Sequence, residues 1–195
     1  MTVLSDRYAD AFAYAFTLHR DQVRKGSDIP YVTHLIAVSG LVLEHGGSED
    51  EAIAGLLHDA VEDQGGSPTL AEIRRRFGDE VAAIVDGCSD TDVTPKPPWR
   101  QRKEDYLAHL PYASRSIRLV SVADKLHNAR ATLADYRRVR EALWAHFKGG
   151  RYGTLWNYRA LIGAYRSAAG EPTQEALVAE LDRVVGELER LVAGK

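Results

Sequence analysis

Leu56-Leu57-His58-Asp59-Ala60-Val61-Glu62-Asp63 sets an imidazole and three carboxylates between positions 58 and 63. On a helix with His58 at zero, Asp59 falls at about 100°, Glu62 at about 40° and Asp63 at about 140°. All four polar groups share one arc, while Leu56, Leu57, Ala60 and Val61 fill the opposite side. Gly55 projects into the polar arc, where the absence of a side chain leaves room for something to approach the backbone. A solvated helix face carries Lys, Arg and Gln with charge pairs four residues apart. Here no cation accompanies the acids, a crowding that is unfavourable unless a metal ion or a retained proton relieves it.

Working outward, Ser48 and Glu51 form a capping-box pattern that opens this helix, and Gly65-Gly66 follows its end. Upstream, Tyr8, Phe12, Ala15, Phe16, His19 and Val23 recur at helical spacing, predicting a helix from Asp6 to Arg24. A second is expected from Tyr31 to His45, ending at Gly46-Gly47. Downstream, Thr69 with Glu72 signals another start, and a helix is expected from Glu80 to Ser89. Pro95, Pro97 and Pro98 make Asp90 to Trp99 a loop. Helical patterning covers Arg100–Leu110, Ser116–Val139, Glu141–Phe147, Leu155–Ala169 and Thr173–Ala193. No run alternates as strands do, and no repeat is present. The expected fold is all-α, one domain over residues 1–195 with about nine or ten helices. The last helix carries Leu177, Leu181, Val184, Val185, Leu188 and Leu191, a stripe that packs on the domain or faces a second subunit in a homo-oligomer.

The 195 residues suffice for one domain burying roughly 70% of its unfolded surface. A net charge of −3 gives no general attraction to nucleic acid or an anionic membrane. Cys88 is the one cysteine, so no intrachain disulfide forms and a reducing compartment is expected. The N-terminus lacks the layout of a signal peptide, and the longest apolar run, Leu35 to Leu43, is too short to span a bilayer. The expectation is a cytoplasmic protein.

Three separated segments each supply part of a metal site: His34 in Tyr31-Val32-Thr33-His34, His58-Asp59, and Asp124 in Val122-Ala123-Asp124-Lys125-Leu126-His127-Asn128. Singly, each has a plain explanation, a hydrogen-bonded core histidine or an Asp124 paired with Lys125 or Arg130. Jointly they form a mixed N/O set suited to Mn²⁺, Fe²⁺ or Zn²⁺, with positions left for water and substrate.

His34, His58-Asp59 and Asp124 resemble the H…HD…D motif of HD-domain phosphohydrolases. More narrowly the chain is similar, over about residues 6 to 165, to the hydrolase domain of Rel/SpoT-type proteins and the small alarmone hydrolases. Arg24-Lys25, Pro30-Tyr31 with His34, His58 to Asp63, and Asp124-Lys125-Leu126-His127-Asn128 carry that likeness. Leu35 stands where many relatives have Pro, one extra residue lies between Arg24 and His34, the loop from Asp90 to Trp99 is unusually Pro-rich, and no synthetase domain is expected.

The resemblance implies hydrolysis of the 3′-diphosphate of guanosine tetra- or pentaphosphate, with Mn²⁺ held by His34, His58, Asp59 and Asp124. Glu62 and Asp63, one turn after the ligands, then handle protons of water and leaving oxygen. Arg24 stacks on a purine, Lys25 neutralises phosphate, and Asn128 hydrogen-bonds ribose or phosphate. Arg100, Arg102 and Lys103 are further candidates for phosphate, or a solvated face. Arg74-Arg75-Arg76 and Arg137-Arg138-Val139-Arg140 read as solvated faces, and His19, His45, His109, His127 and His146 carry no argument for ligation. Two alternatives stay open: removal of the 2′-phosphate of NADPH or another nucleotide phosphate, and a non-catalytic nucleotide sensor.

Overall fold

Among the described residues, the apolar stripes close on one another as ten helical segments. They are α1 (Asp6–Leu18), α2 (Val32–Glu44), α3 (Glu49–Leu57), α4 (Ala60–Gln64), α5 (Ser67–Phe77), α6 (Asp79–Cys88), α7 (Trp99–His109), α8 (Arg115–Val139), α9 (Gly150–Ser167) and α10 (Pro172–Val192). Short 3₁₀ turns occupy Leu110–Tyr112 and Arg140–His146. The computed structural model describes residues 2–89, 95–168 and 172–194. Among these there is no strand, and one isolated bridge pairs Val23 with Pro30. The expected all-α architecture is what the chain adopts. None of these helices is long and apolar enough to cross a membrane.

Three helices build the centre. α2, α3 and α8 pack on one another, burying Leu35, Val38, Ile53, Leu56, Leu57, Leu119, Val122 and Leu126. The capping box at Ser48 forms as its residues indicate: Glu51 N–H donates to Ser48 Oγ at 3.2 Å and Ser48 N–H to Glu51 Oε2 at 2.7 Å. Glu51 then reaches across to Arg115 at 2.8 Å, tying the start of α3 to the start of α8. Gly55 has a different role from the one its helical position suggested. A Cβ there would sit 3.0 Å from Ser39 Cα and 3.2 Å from Ser39 N, so its bare backbone lets α2 press directly on α3.

Several boundaries differ from the sequence expectation. α1 stops at Leu18, not Arg24, because His19 to Tyr31 folds into a turn closed by Arg24 N–H to Ile29 O at 2.8 Å and Tyr31 N–H to Gln22 O at 2.9 Å. Its buried face is Ala11 and Ala15, whereas Phe12 and Phe16 remain 39% and 44% exposed. The helix expected to run unbroken to Asp63 ends at Leu57, and Asp59 (φ −95°, ψ −3°) turns the chain into α4. Arg140–His146 is 3₁₀ rather than α, and α9 begins at Gly150, earlier than Leu155. Of the loop expected at Asp90 to Trp99, positions 90–94 lie outside the described residues and Trp99 already opens α7. The run of arginines in α5 lies on the surface, Arg75 pairing with Glu72 and Arg76 lying over Tyr14 at 4.4 Å.

α10 spends its stripe inside the chain: Leu177, Leu181, Val184, Val185 and Leu188 are buried, with α10 lying on α8 and α9. Arg159 of α9 binds Asp182 and Glu189, and Arg166 reaches Asp182 at 2.7 Å.

Replacing Gly55 with Val forces α2 from α3 and should cost about 2 kcal/mol, lowering Tm by about 4–8 °C. Gly40→Ala, where an added Cβ meets nothing within 4 Å, should leave calorimetric Tm unchanged or slightly higher.

Asp182 is held below the usual carboxylate range by Arg166 first and Arg159 second, against opposing desolvation. Its folded-state pKa is depressed, so its stabilisation is complete above the unfolded value of about 3.9 and lost as pH falls through the folded one. Arg159→Met should therefore lower Tm at pH 7 by about 2–4 °C, the effect of about 1 kcal/mol in a solvent-screened cluster. At pH 2.5 the gap from wild type should narrow.

Candidate metal centre and active site

Each central helix delivers one part of the site. The first turn of α2 presents His34, fully buried. The break between α3 and α4 presents His58 and Asp59, and the middle of α8 presents Asp124. His34 Nε2 lies 3.2 Å from Asp124 Oδ1 and 3.6 Å from Asp59 Oδ2, while His58 Nε2 lies 3.1 Å from Asp59 Oδ2 and 3.7 Å from Asp124 Oδ1. One atom each from His34, His58 and Asp59 falls within 4.8 Å of the others, and Asp124 faces both imidazoles. The sequence had separated these four residues by up to ninety positions, and the fold brings them to one point.

Neither imidazole Nε2 makes a hydrogen bond, although both are buried. Ligand atoms around one ion at about 2.1 Å stand roughly 3.0–3.5 Å apart, close to the spacings seen here. The other ring nitrogens are already engaged. His58 Nδ1 donates to Gly55 O at 2.8 Å, which makes Nε2 the nitrogen that faces Asp59, Asp124 and any bound cation. His34 Nδ1 lies 2.7 Å from Nδ1 of His127. His127 is lowered to about 4 by burial and then by neighbouring His34 and Arg24, so its ring is neutral. Burial opposes charge on His58, yet Asp59 holds it well above the usual imidazole range; burial likewise opposes charge on Asp59, which His58 holds well below the usual carboxylate range. These residues fit a divalent cation.

Outer contacts set the carboxylates. Tyr31 Oη donates to Asp59 Oδ2 at 2.5 Å. Lys125 Nζ lies 2.5 Å from Asp124 Oδ2, and Asn128 Nδ2 donates to Oδ1. Against desolvation, Lys125 holds Asp124 well below the carboxylate range. Asn128 Oδ1 accepts from Arg24 Nη2 at 2.7 Å, so Arg24 is joined to the centre through Asn128 and Asp124. Lys25 is exposed beside it. The turn that holds both cations is kept tight by Gly26 (φ +74°), where a Cβ would meet the His146 ring at 2.9 Å.

The cation missing from positions 56–63 is supplied by distant chain. Lys96 Nζ meets Glu62 Oε1 at 3.0 Å and Arg102 Nη1 lies 3.6 Å from the same oxygen. Asp63 accepts from Gln22 Nε2 at 2.8 Å. Displacement of water by surrounding protein, then repulsion from Asp59, raises the Asp63 carboxyl even though one edge stays open to solvent. Arg100, a phosphate candidate in the sequence, instead lies over Trp156 at 3.2 Å and pairs with Glu104. Tyr31, His127 and Lys96 had no assigned role in the sequence, whereas Lys125 pairs with Asp124 as the sequence allowed; for His127 the available signal was its spacing of one turn from Asp124.

A family profile described as HD domain matches residues 11–155. The chain belongs to the HD-domain family. A divalent metal follows from that membership, and the centre above is where this HD domain has the donors for it. The chain is 34% identical over 146 residues to the guanosine-3′,5′-bis(diphosphate) 3′-pyrophosphohydrolase MESH1 of Xenopus tropicalis, covering 73% of this chain and 76% of that protein. It is 36% identical over 123 residues to a probable guanosine-3′,5′-bis(diphosphate) 3′-pyrophosphohydrolase of Synechocystis, covering 62% of this chain but 16% of that protein. The fold superposes with a TM-score of 0.75 on a structure described as a metazoan ortholog of SpoT that hydrolyses ppGpp, at 24% identity, covering 96% of this chain and 99% of that one.

His58→Ala and Asp124→Ala should each abolish calorimetric Mn²⁺ binding while far-ultraviolet circular dichroism stays helical. His127→Phe should retain one site but weaken it about 10–100-fold, since His34 loses the partner that orients it.

Proposed function

We propose that this HD-domain protein hydrolyses the 3′-diphosphate of guanosine tetra- and pentaphosphate, giving GDP or GTP and pyrophosphate, with Mn²⁺ as its metal. The observation that carries this reading is the convergence of His34, His58, Asp59 and Asp124 beside the carboxylates of Glu62 and Asp63. The activity for which relatives such as the Xenopus protein are named supports the same chemistry. When bound, the metal draws charge from a phosphoryl oxygen and makes water more acidic.

The chain's own residues supply the rest. Lys125 offsets one of the two acidic ligands, so the centre with a divalent ion is attractive to a polyphosphate. Arg24, steadied by Asn128 and lying over Tyr31 at 5.6 Å, offers a guanidinium face to a purine. Lys25, next in the chain and exposed, meets the distal phosphate. Glu62 is committed to Lys96 and Arg102 and orders the Pro-rich segment against the site. Asp63, whose carboxyl takes a proton at higher pH than an ordinary aspartate, is the better proton carrier. It accepts the proton of the attacking water as the new P–O bond forms, and returns it to the ribose 3′ oxygen as the bond between that oxygen and phosphorus breaks, releasing pyrophosphate.

The test is kcat/KM for guanosine tetraphosphate and for NADPH with wild type, Arg24→Ala, Lys25→Ala and Asp63→Asn. Guanosine tetraphosphate should be the better substrate. Arg24→Ala should chiefly raise KM, Lys25→Ala should harm guanosine tetraphosphate more than NADPH, and Asp63→Asn should slow turnover at least about 100-fold with metal retained. A wild-type preference for NADPH, or equal losses in Lys25→Ala, rejects this specificity; metal and nucleotide binding without turnover marks a sensor.

A further inference from the structure

The connection between α1 and α2 carries a second cluster of polar side chains that metal binding does not use. Gln22 lies at its centre. Its Nε2 donates to Asp63 Oδ2 at 2.8 Å, while its Oε1 lies 2.7 Å from His19 Nδ1 and accepts from Gln64 Nε2 at 2.6 Å. Turning the amide over would set its NH₂ against two donors and its oxygen against a carboxylate, so the three neighbours fix one orientation.

The supports of Gln22 are themselves held. His19 is buried and stacks on Tyr31, with centroids 5.3 Å apart and planes at 18°. Burial lowers the pKa of His19, which keeps the ring neutral with a proton for Gln22. Gln22 O accepts from the Tyr31 amide at 2.9 Å, which anchors the backbone. Tyr31 in turn donates to Asp59. One plate of side chains thus reaches both a carboxylate of the metal centre and the carboxylate beside it.

We propose that Gln22, locked by His19 and Gln64, is a positioning residue for Asp63. It binds Oδ2 and leaves Oδ1, which accepts no hydrogen bond among the described residues, as the oxygen that carries the proton. An oxygen already accepting an amide proton is the less basic of the two, so the transferred proton resides on Oδ1. Without the clamp the carboxylate rotates about χ2, and the fraction of time Oδ1 faces the reacting water falls. This inference rests on the proton-carrying role of Asp63 proposed above.

Gln22→Met keeps the length of the side chain and removes the clamp. It should lower kcat about 10–100-fold with KM, Mn²⁺ affinity and Tm near wild type. In the Asp63→Asn background the same substitution should cause no further loss, because both changes act through one group. Independently of turnover, the Gln22 side-chain amide proton resonance should move upfield in Asp63→Ala as its bond to the carboxylate disappears. Wild-type kcat in Gln22→Met, additive losses in the double variant, or an unmoved Gln22 resonance overturns the proposal. A wild type inactive on guanosine tetraphosphate overturns the substrate reading instead; the resonance test still decides the clamp, and the kinetic comparison then uses NADPH.

Discussion

The buried convergence of two imidazoles and two carboxylates dominates the energetics of this protein. Asp59 and Asp124 repel each other, and both lose hydration in the space between α2, α3 and α8. The two Nε2 atoms facing them have no other partner. Such a cluster persists only if the backbone holding it is stiff and its polar atoms have partners. The hydrophobic contacts of three helices fix the Cα positions. Tyr31 and Asn128 donate to the carboxylate oxygens that face the imidazoles, Lys125 holds the other oxygen of Asp124, and His127 and the Gly55 carbonyl engage the Nδ1 atoms of His34 and His58.

Charge is graded outward from that point. Lys125 offsets Asp124 from behind, Lys96 and Arg102 meet Glu62 on one flank, and Arg24 with Lys25 lies on another. A polyanion approaching the centre encounters cations at the rim and compensated acids within. Asp63 is the exception. It has a neutral amide for a partner rather than a cation, and this difference separates it chemically from its neighbour Glu62.

Small residues decide how closely the frame can draw in. Gly55 lets α2 touch the backbone of α3, and its carbonyl selects the tautomer of His58. Ala11 and Ala15 bring α1 down on the same core, which places the His19–Tyr31 connection over Asp59 and Asp63. The break at Asp59 matters as much. Turning the chain between α3 and α4 lets Asp59 enter the metal centre while Glu62 and Asp63 face different partners, an arrangement an unbroken helix would not give.

The sequence by itself determined the helical class, the α3 cap and the residues that converge, because periodicity, capping chemistry and ligand-type side chains are local properties; that the apolar stripe of α10 packs on α8 and α9 was decided by the tertiary structure. His34, His58, Asp59 and Asp124 were legible as donors for this reason. What joins them was not. That Lys96 and Arg102 balance Glu62, that His127 orients His34, and that Gln22 holds Asp63 depends on contacts between residues far apart in the chain. Gly55 was misread for the same reason: on one helix it looks like an opening, and only the approach of Ser39 makes it a contact. Tertiary structure decided these points because hydrogen bonds and ion pairs act over about 3 Å in space, a distance that sequence separation does not encode.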